Sequence, residues 1–206
     1  MTTLPMFPLG SVLFPYMPLQ LRVFEERYLI MLARVLDLEP PTFGVVLIER
    51  GQEVGGGEQR FGVGTIAHVT QVSAPEGYLG VIAQGERRFE VLEWQPEDPH
   101  PQASVRELPD LEWNEDLLPL REQAELVVRR TLSLASEFAD QEWSPAVELA
   151  RDPTAAAWQL AAIAPVGELD QIQLLRSETM AGLLGSIIDL TTVAADAFRA
   201  PWPDEK

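Results

Sequence analysis

The residue types that carry most covalent and metal chemistry are nearly missing from this chain. It contains no Cys, two His (His68 and His100) and a single Lys, Lys206, at its last position. Without Cys there is no disulfide, no thiolate nucleophile and no Cys-ligated zinc or iron–sulfur site. The two His stand outside any HExxH spacing; His68 falls in a strand pattern and His100 between two prolines, so a packed or solvated ring is the simpler reading of each. A Ser–Lys dyad, a Schiff base or a phosphate-binding Lys would have to be built on a chain terminus, a poor place for precise geometry. The Gly-rich stretch Gly51 to Gly64 fails as a phosphate loop because no GK pair closes it. It fails as a dinucleotide fingerprint because Val63 to Val72 reads as a strand where a helix is required. A flexible hairpin loop is the better description. Adjacent carboxylates occur at Glu25-Glu26, Glu97-Asp98 and Asp204-Glu205, but with 32 acids in 206 residues such pairs arise by chance and single out no glycosidase-type dyad. The expectation is a protein that is not an enzyme, with no catalytic residues, no cofactor and no metal.

Charge narrows the partners. Fifteen Lys and Arg stand against 32 Asp and Glu, a formal net charge of −17. Affinity for nucleic-acid phosphate comes mainly from Lys and Arg with release of counterions, so this field opposes it, and an anionic membrane surface is disfavoured for the same reason. Residues 1–105 carry a net −6 and residues 106–206 a net −11. No apolar stretch reads as the roughly 20-residue span a membrane helix needs, and the first ten residues lack the basic start of a leader. No nucleic acid, no membrane and a cytoplasmic location are therefore expected.

Two textures divide the elements. In the first half, Thr42 to Arg50, Phe61 to Val72, Tyr78 to Gly85, Arg87 to Trp94 and Ala103 to Leu108 read as short strands, the third and fourth joined at Gly85-Glu86. One helix interrupts them from Glu25 to Leu36, where Tyr28, Leu29, Leu32, Val35 and Leu36 share a face and Pro40-Pro41 ends it. Beyond Trp94 to Trp113 the period changes to a stripe of Leu117, Leu120, Ala124, Val127, Thr131, Leu134 and Phe138, a helix about 33 Å long with Asp116 as its expected N-cap. Asp152-Pro153 opens a second helix to Ala164, Glu168 to Arg176 forms a third, and Glu178 to Phe198 a fourth.

The segment LPMFPLGSVLFPYMPLQLRVFEERY, Leu4 to Tyr28, places prolines at 5, 8, 15 and 18 between short apolar runs. It predicts an edge strand, a turn at Leu9-Gly10-Ser11 and a second strand leading into the helix, since proline inside a sheet is tolerated at edges and strand starts. This segment resembles the opening of the Lon protease N-terminal, substrate-binding domain, whose pattern is roughly lPlFPLg-vvlfPg-xlpLhiFEpRY. Phe7, Pro8, Leu9, Pro15, Leu19, Leu21, Phe24, Glu25, Arg27 and Tyr28 match it, whereas Gln20 and Glu26 stand where proline is common. FGVVLIERGQEVGG, FGVGTIAHVTQV and GERRFEVLEW resemble the next three blocks in order, so the clear likeness covers residues 4–94.

The resemblance implies an α+β chain: a PUA-like β-barrel with one inserted helix, residues 1–112, then a C-terminal helical bundle, residues 113–200, and a loose tail, residues 201–206. It implies a stand-alone form without the ATPase and peptidase modules. The implied function is a non-catalytic polypeptide-binding or adaptor protein whose partners are unfolded or damaged polypeptide, with a protease or chaperone component as a further candidate. Phe14, Tyr16, Met17, Phe24, Tyr28 and Met31 are the candidate contacts, an apolar set with two adaptable Met, set against plain core packing for each. The alternative is a PUA-like nucleic-acid or small-ligand module, and its nucleic-acid form would need a basic patch from Arg60, Arg87 and Arg88.

Overall fold

The computed structural model describes residues 2–50 and 59–199, so most of the Gly-rich stretch and the tail lie outside the described residues. The chain divides into two compact units, Met1–Asp110 and Leu111–Lys206. Among the described residues it is a mixed α+β fold of six strands and five α-helices.

The first unit contains β1 (Thr2–Leu9), β2 (Pro18–Val23), α1 (Glu26–Leu36), β3 (Thr42–Arg50), β4 (Gln59–Ser73), β5 (Leu79–Gln95) and β6 (Gln102–Glu107). The strands form one sheet in the order β2-β5-β4-β3-β1-β6, and β5 also pairs with β6, so the ladder from β5 through β1 and β6 returns to β5. Among the described residues β2 alone ends the sheet.

Two expectations about strands need correction. The first is β5, one continuous strand rather than two meeting at Gly85-Glu86. Its early part pairs with β2 and its later part with β6, while β4 accompanies it along most of its length. The register with β4 slips between Thr65 and Ala67, opposite Arg88 and Gly85, so the Gly-Glu signal marks a bulge that bends the strand between its two neighbours. The second is β1, which is not an edge strand. Its ladder changes sides midway: Thr2–Pro5 pair antiparallel with β6, and Met6–Leu9 pair parallel with β3. Each half is matched on one side, which leaves room for Pro5 and Pro8.

Two close backbone approaches hold this unit together. A Cβ at Gly64 would meet the Val45 carbonyl oxygen at 2.1 Å, and one at Gly85 would meet the Phe14 carbonyl oxygen at 2.2 Å. Leu4, Met6, Val46, Ile66, Phe89, Ala103 and Val105 form a buried cluster. The inner face of α1 contributes Tyr28, Met31, Leu32 and Val35, and Tyr28 stacks on Phe7 at 4.2 Å.

The second unit holds a 3-10 turn (Glu115–Leu117), α2 (Leu118–Ala135), α3 (Pro153–Ile163), α4 (Glu168–Leu175) and α5 (Met180–Arg199). Asp152 caps α3 as its sequence predicts, its side chain accepting from the Ala155 N–H at 2.8 Å with Pro153 behind it. The α2 start differs from expectation. Asn114 accepts from the Asp116 N–H at 3.0 Å, so Asn114, not Asp116, is the capping side chain, and it caps the 3-10 turn that leads into the helix. The buried face of α2 is Ala124, Val128, Thr131, Leu132 and Ala135, rotated from the expected stripe. Leu117, Leu120, Val127 and Leu134 are half-buried, and Phe138 lies beyond the helix, exposed. A strict 3,4 spacing drifts round a 3.6-residue helix, and the neighbouring helices choose which side is covered.

α5 is long and apolar enough to cross a membrane by length and composition, which differs from the expectation that no stretch is. Its buried residues Met180, Leu183, Leu184, Ile187, Thr191 and Ala195 lie on one side, it packs against α2, α3 and α4, and Asp189 and Asp196 are exposed.

Candidate functional site

The six candidate contacts separate into two groups. Phe14, Met17, Tyr28 and Met31 are buried. They pack the core of the first unit, which corrects their expected place on a binding surface: Tyr28 and Met31 lie on the inner face of α1, and Phe14 and Met17 flank the turn beside Gly85. Tyr16 and Phe24 are exposed, 42% and 60% respectively.

These two aromatic residues bracket β2. Phe14-Pro15-Tyr16-Met17 is a tight turn in which the Met17 N–H donates to the Phe14 carbonyl at 3.3 Å. Tyr16 has φ 63°, so proline in the second position and a left-handed residue in the third give the signature of a type II turn. Glycine is the usual occupant of that third position, and a side chain there costs about 1–2 kcal/mol. The turn is held to β5 by the Tyr16 N–H donating to the Gly85 carbonyl at 2.8 Å and the Gly85 N–H donating to the Met17 carbonyl at 2.9 Å. At the other end of β2, Phe24 precedes Glu25, the N-cap residue of α1.

Beyond Phe24 runs a network that sequence reasoning missed. Arg27 lies over the Tyr28 ring at 4.5 Å and pairs with Glu25 at 3.2 Å and with Glu97 at 3.8 Å. Glu97 also takes Arg60, at 2.5 Å, and the Arg60 guanidinium lies over the Trp94 ring at 4.7 Å. Arg60 and Trp94, with Glu49 and Gln59, line an open cleft of about 380 Å³. The Glu25/Arg27 spacing was visible in the sequence, but nothing local pointed to a carboxylate at position 97.

The remaining polar candidates are accounted for. His68 Nδ1 lies 3.0 Å from Glu86, and His100 is buried with Nδ1 3.1 Å from the Pro101 carbonyl and Nε2 3.5 Å from Arg34. The three arginines that a nucleic-acid patch would draw on all have partners. Arg60 is matched by Glu97, Arg87 pairs with Glu107 at 2.6 Å, and Arg88 is buried with its guanidinium donating to the Pro109 carbonyl at 2.7 Å. Burial pushes the Arg88 pKa down, with the nearby Asp110 charge opposing the shift. No group of three or more His, Cys, Asp or Glu among the described residues could hold a metal ion.

Residues 3–192 match the family model described as the ATP-dependent protease La (LON) substrate-binding domain. The chain is similar to Lon protease 2 of Herpetosiphon aurantiacus, 28% identical over 177 residues that cover 84% of this chain and 21% of that protein. It is 31% identical to Lon protease of Heliobacterium modesticaldum over 106 residues, 50% of this chain and 13% of that one. The chain thus spans about a fifth or less of the length of these curated relatives. Among solved structures it is similar to a Lon N-terminal domain protein from Xanthomonas campestris, with TM-score 0.65 and 26% identity over 92% of this chain and 98% of the other. The N-terminal domain of Mycobacterium avium complex Lon protease shares the fold at TM-score 0.66 and 18% identity, covering 93% and 98%.

Proposed function

This chain belongs to the LON substrate-binding domain family, and from that membership we propose that it holds unfolded or damaged polypeptide without performing chemistry on it. The observation that carries the reading is the span of the match, residues 3–192, which takes in all six strands and most of the helical unit. Supporting it are Tyr16 and Phe24, two exposed aromatic side chains at either end of β2. Aromatic residues supply large contact area at small entropic cost, so they suit a site that accepts many sequences. We read the strand ring closed by β5 and β6 as a PUA-like barrel. A nucleic-acid role for it is opposed by the net charge of −17 and by the carboxylate and carbonyl partners of Arg60, Arg87 and Arg88.

Binding is weak by this account, because a flexible client loses conformational entropy on docking. The test measures affinity for a reduced, carboxymethylated model protein at low and high salt, in parallel with ATP and casein hydrolysis. Affinity that falls in the Tyr16→Gly and Phe24→Ser variants, with thermal stability kept, supports the reading. Glycine at position 16 also relieves the left-handed strain, so a lower melting temperature in Tyr16→Gly is not expected. No affinity for the unfolded protein at either salt, or turnover abolished by a point substitution in this chain, overturns it.

A further inference from the structure

The sheet of the first unit has one open end, and its backbone chemistry says what can occupy it. Among the described residues β2 pairs only with β5, and Pro18, Gln20 and Arg22 are exposed. The direction of its backbone groups follows from the ladder. The Gly85 N–H donates to the Met17 carbonyl, and the pairing then runs without a slip through Leu19↔Ala83, Leu21↔Val81 and Val23↔Leu79. In an antiparallel pair, residues that exchange hydrogen bonds alternate with residues that do not. Leu19, Leu21 and Val23 therefore turn their N–H and C=O groups towards β5, and Gln20 and Arg22 turn theirs outward, with the Pro18 carbonyl. Among the described residues no strand pairs with that outer edge.

An unpaired edge of this kind is a template for one more strand. We propose that β2 receives its polypeptide by strand addition, an extended segment of client hydrogen-bonding to the N–H and C=O of Gln20 and Arg22, with the exposed Tyr16 ring packing on the client where it leaves the edge. This rests on the polypeptide-binding reading above and states how the binding is done. The occupant is an unfolded chain rather than a folded surface because outward N–H and C=O groups two residues apart are met by an extended backbone. Backbone pairing is indifferent to client sequence, which is what a domain that accepts unfolded polypeptide requires. Position 20 is decisive. Proline there would remove the outward N–H that Gln20 supplies. Proline on an edge strand with its nitrogen facing solvent leaves the ladder to β5 intact.

The experiment compares the full chain with Gln20→Ala and Gln20→Pro for binding of reduced, carboxymethylated α-lactalbumin, with thermal unfolding of each. Strand addition predicts that Gln20→Ala keeps its affinity and Gln20→Pro loses about fivefold or more, both melting near the unsubstituted protein. Equal binding by all three overturns strand addition and leaves the polypeptide-binding reading standing. Equal loss in both variants makes the glutamine side chain the contact and likewise overturns it. No binding by the unsubstituted protein overturns both. Where Gln20→Pro fails to fold, amide hydrogen exchange of the unsubstituted protein decides. The Gln20 and Arg22 amides slow on adding client if it adds as a strand; unchanged exchange there is contrary. Slowing that instead follows the protein's own concentration, without client, identifies a second copy as the occupant and is equally contrary.

Discussion

The two units of this chain are built on different physics, and the difference shows where each could be understood from local sequence. The strand-rich unit depends on backbone approaching backbone: Gly64 lies against the Val45 carbonyl, Gly85 against the Phe14 carbonyl, and the buried Thr65 hydroxyl donates to the Leu13 carbonyl at 2.6 Å. The helical unit depends on side-chain burial. α3 is buried nearly all round through Ala155, Ala156, Ala157, Trp158, Leu160 and Ala161, and α5 presents Leu183, Leu184 and Ile187 as its packed side. Strands take their hydrogen-bond partners from other strands of the sheet, whereas helices form their hydrogen bonds within themselves. The exposed features with functional promise, Tyr16, Phe24 and the open edge of β2, all belong to the first unit.

Substitutions can break or sharpen that contrast. The largest effect is expected for Leu132→Ala in α2, a buried leucine whose truncation costs about 2–5 kcal/mol, read from urea unfolding. Leu134→Ala, half-buried on the same helix, should cost clearly less; the opposite order would restore the stripe expected from the 3,4 spacing. In the strand-rich unit, Gly64→Ala forces a methyl onto a carbonyl oxygen and two side chains and should cost about 1–3 kcal/mol or more. A neutral result would mean that the β3–β4 approach is softer than it looks. Thr65→Val keeps the shape but leaves the Leu13 carbonyl without its donor, a loss of about 1–3 kcal/mol in the same assay. The smallest effect is expected for Asp152→Ala, about 1 kcal/mol, because the lost bond is a single cap at a half-solvated helix end.

The candidate site was only partly legible. The sequence singles out an aromatic and Met-rich segment between prolines, but it does not say which of those side chains face outward. Tyr28 and Met31 lie on the helix face that α1 turns inward, whereas Tyr16 sits in a turn and Phe24 just before the helix cap. The Arg27–Glu97–Arg60–Trp94 network joins three separate stretches of chain, and no spacing within any one of them announces it.

Local preferences determined what a few neighbours along the chain can decide. The absence of Cys, the single Lys and the excess of 17 negative charges excluded most chemistry outright. Apolar runs bounded by Gly and Pro located β3 to its ends, and Asp152-Pro153 located the start of α3, because turn and cap preferences act over three or four residues. Tertiary structure decided the rest. It paired Met6–Leu9 in parallel with Gly44–Leu47, carried β5 through Gly85 as one strand, turned α2 to bury Val128 and Leu132, and left the outer edge of β2 open. Each of these is a choice among partners tens of residues away, settled by which arrangement buries the most apolar surface while pairing the most backbone groups, and no window of sequence contains both sides of that choice.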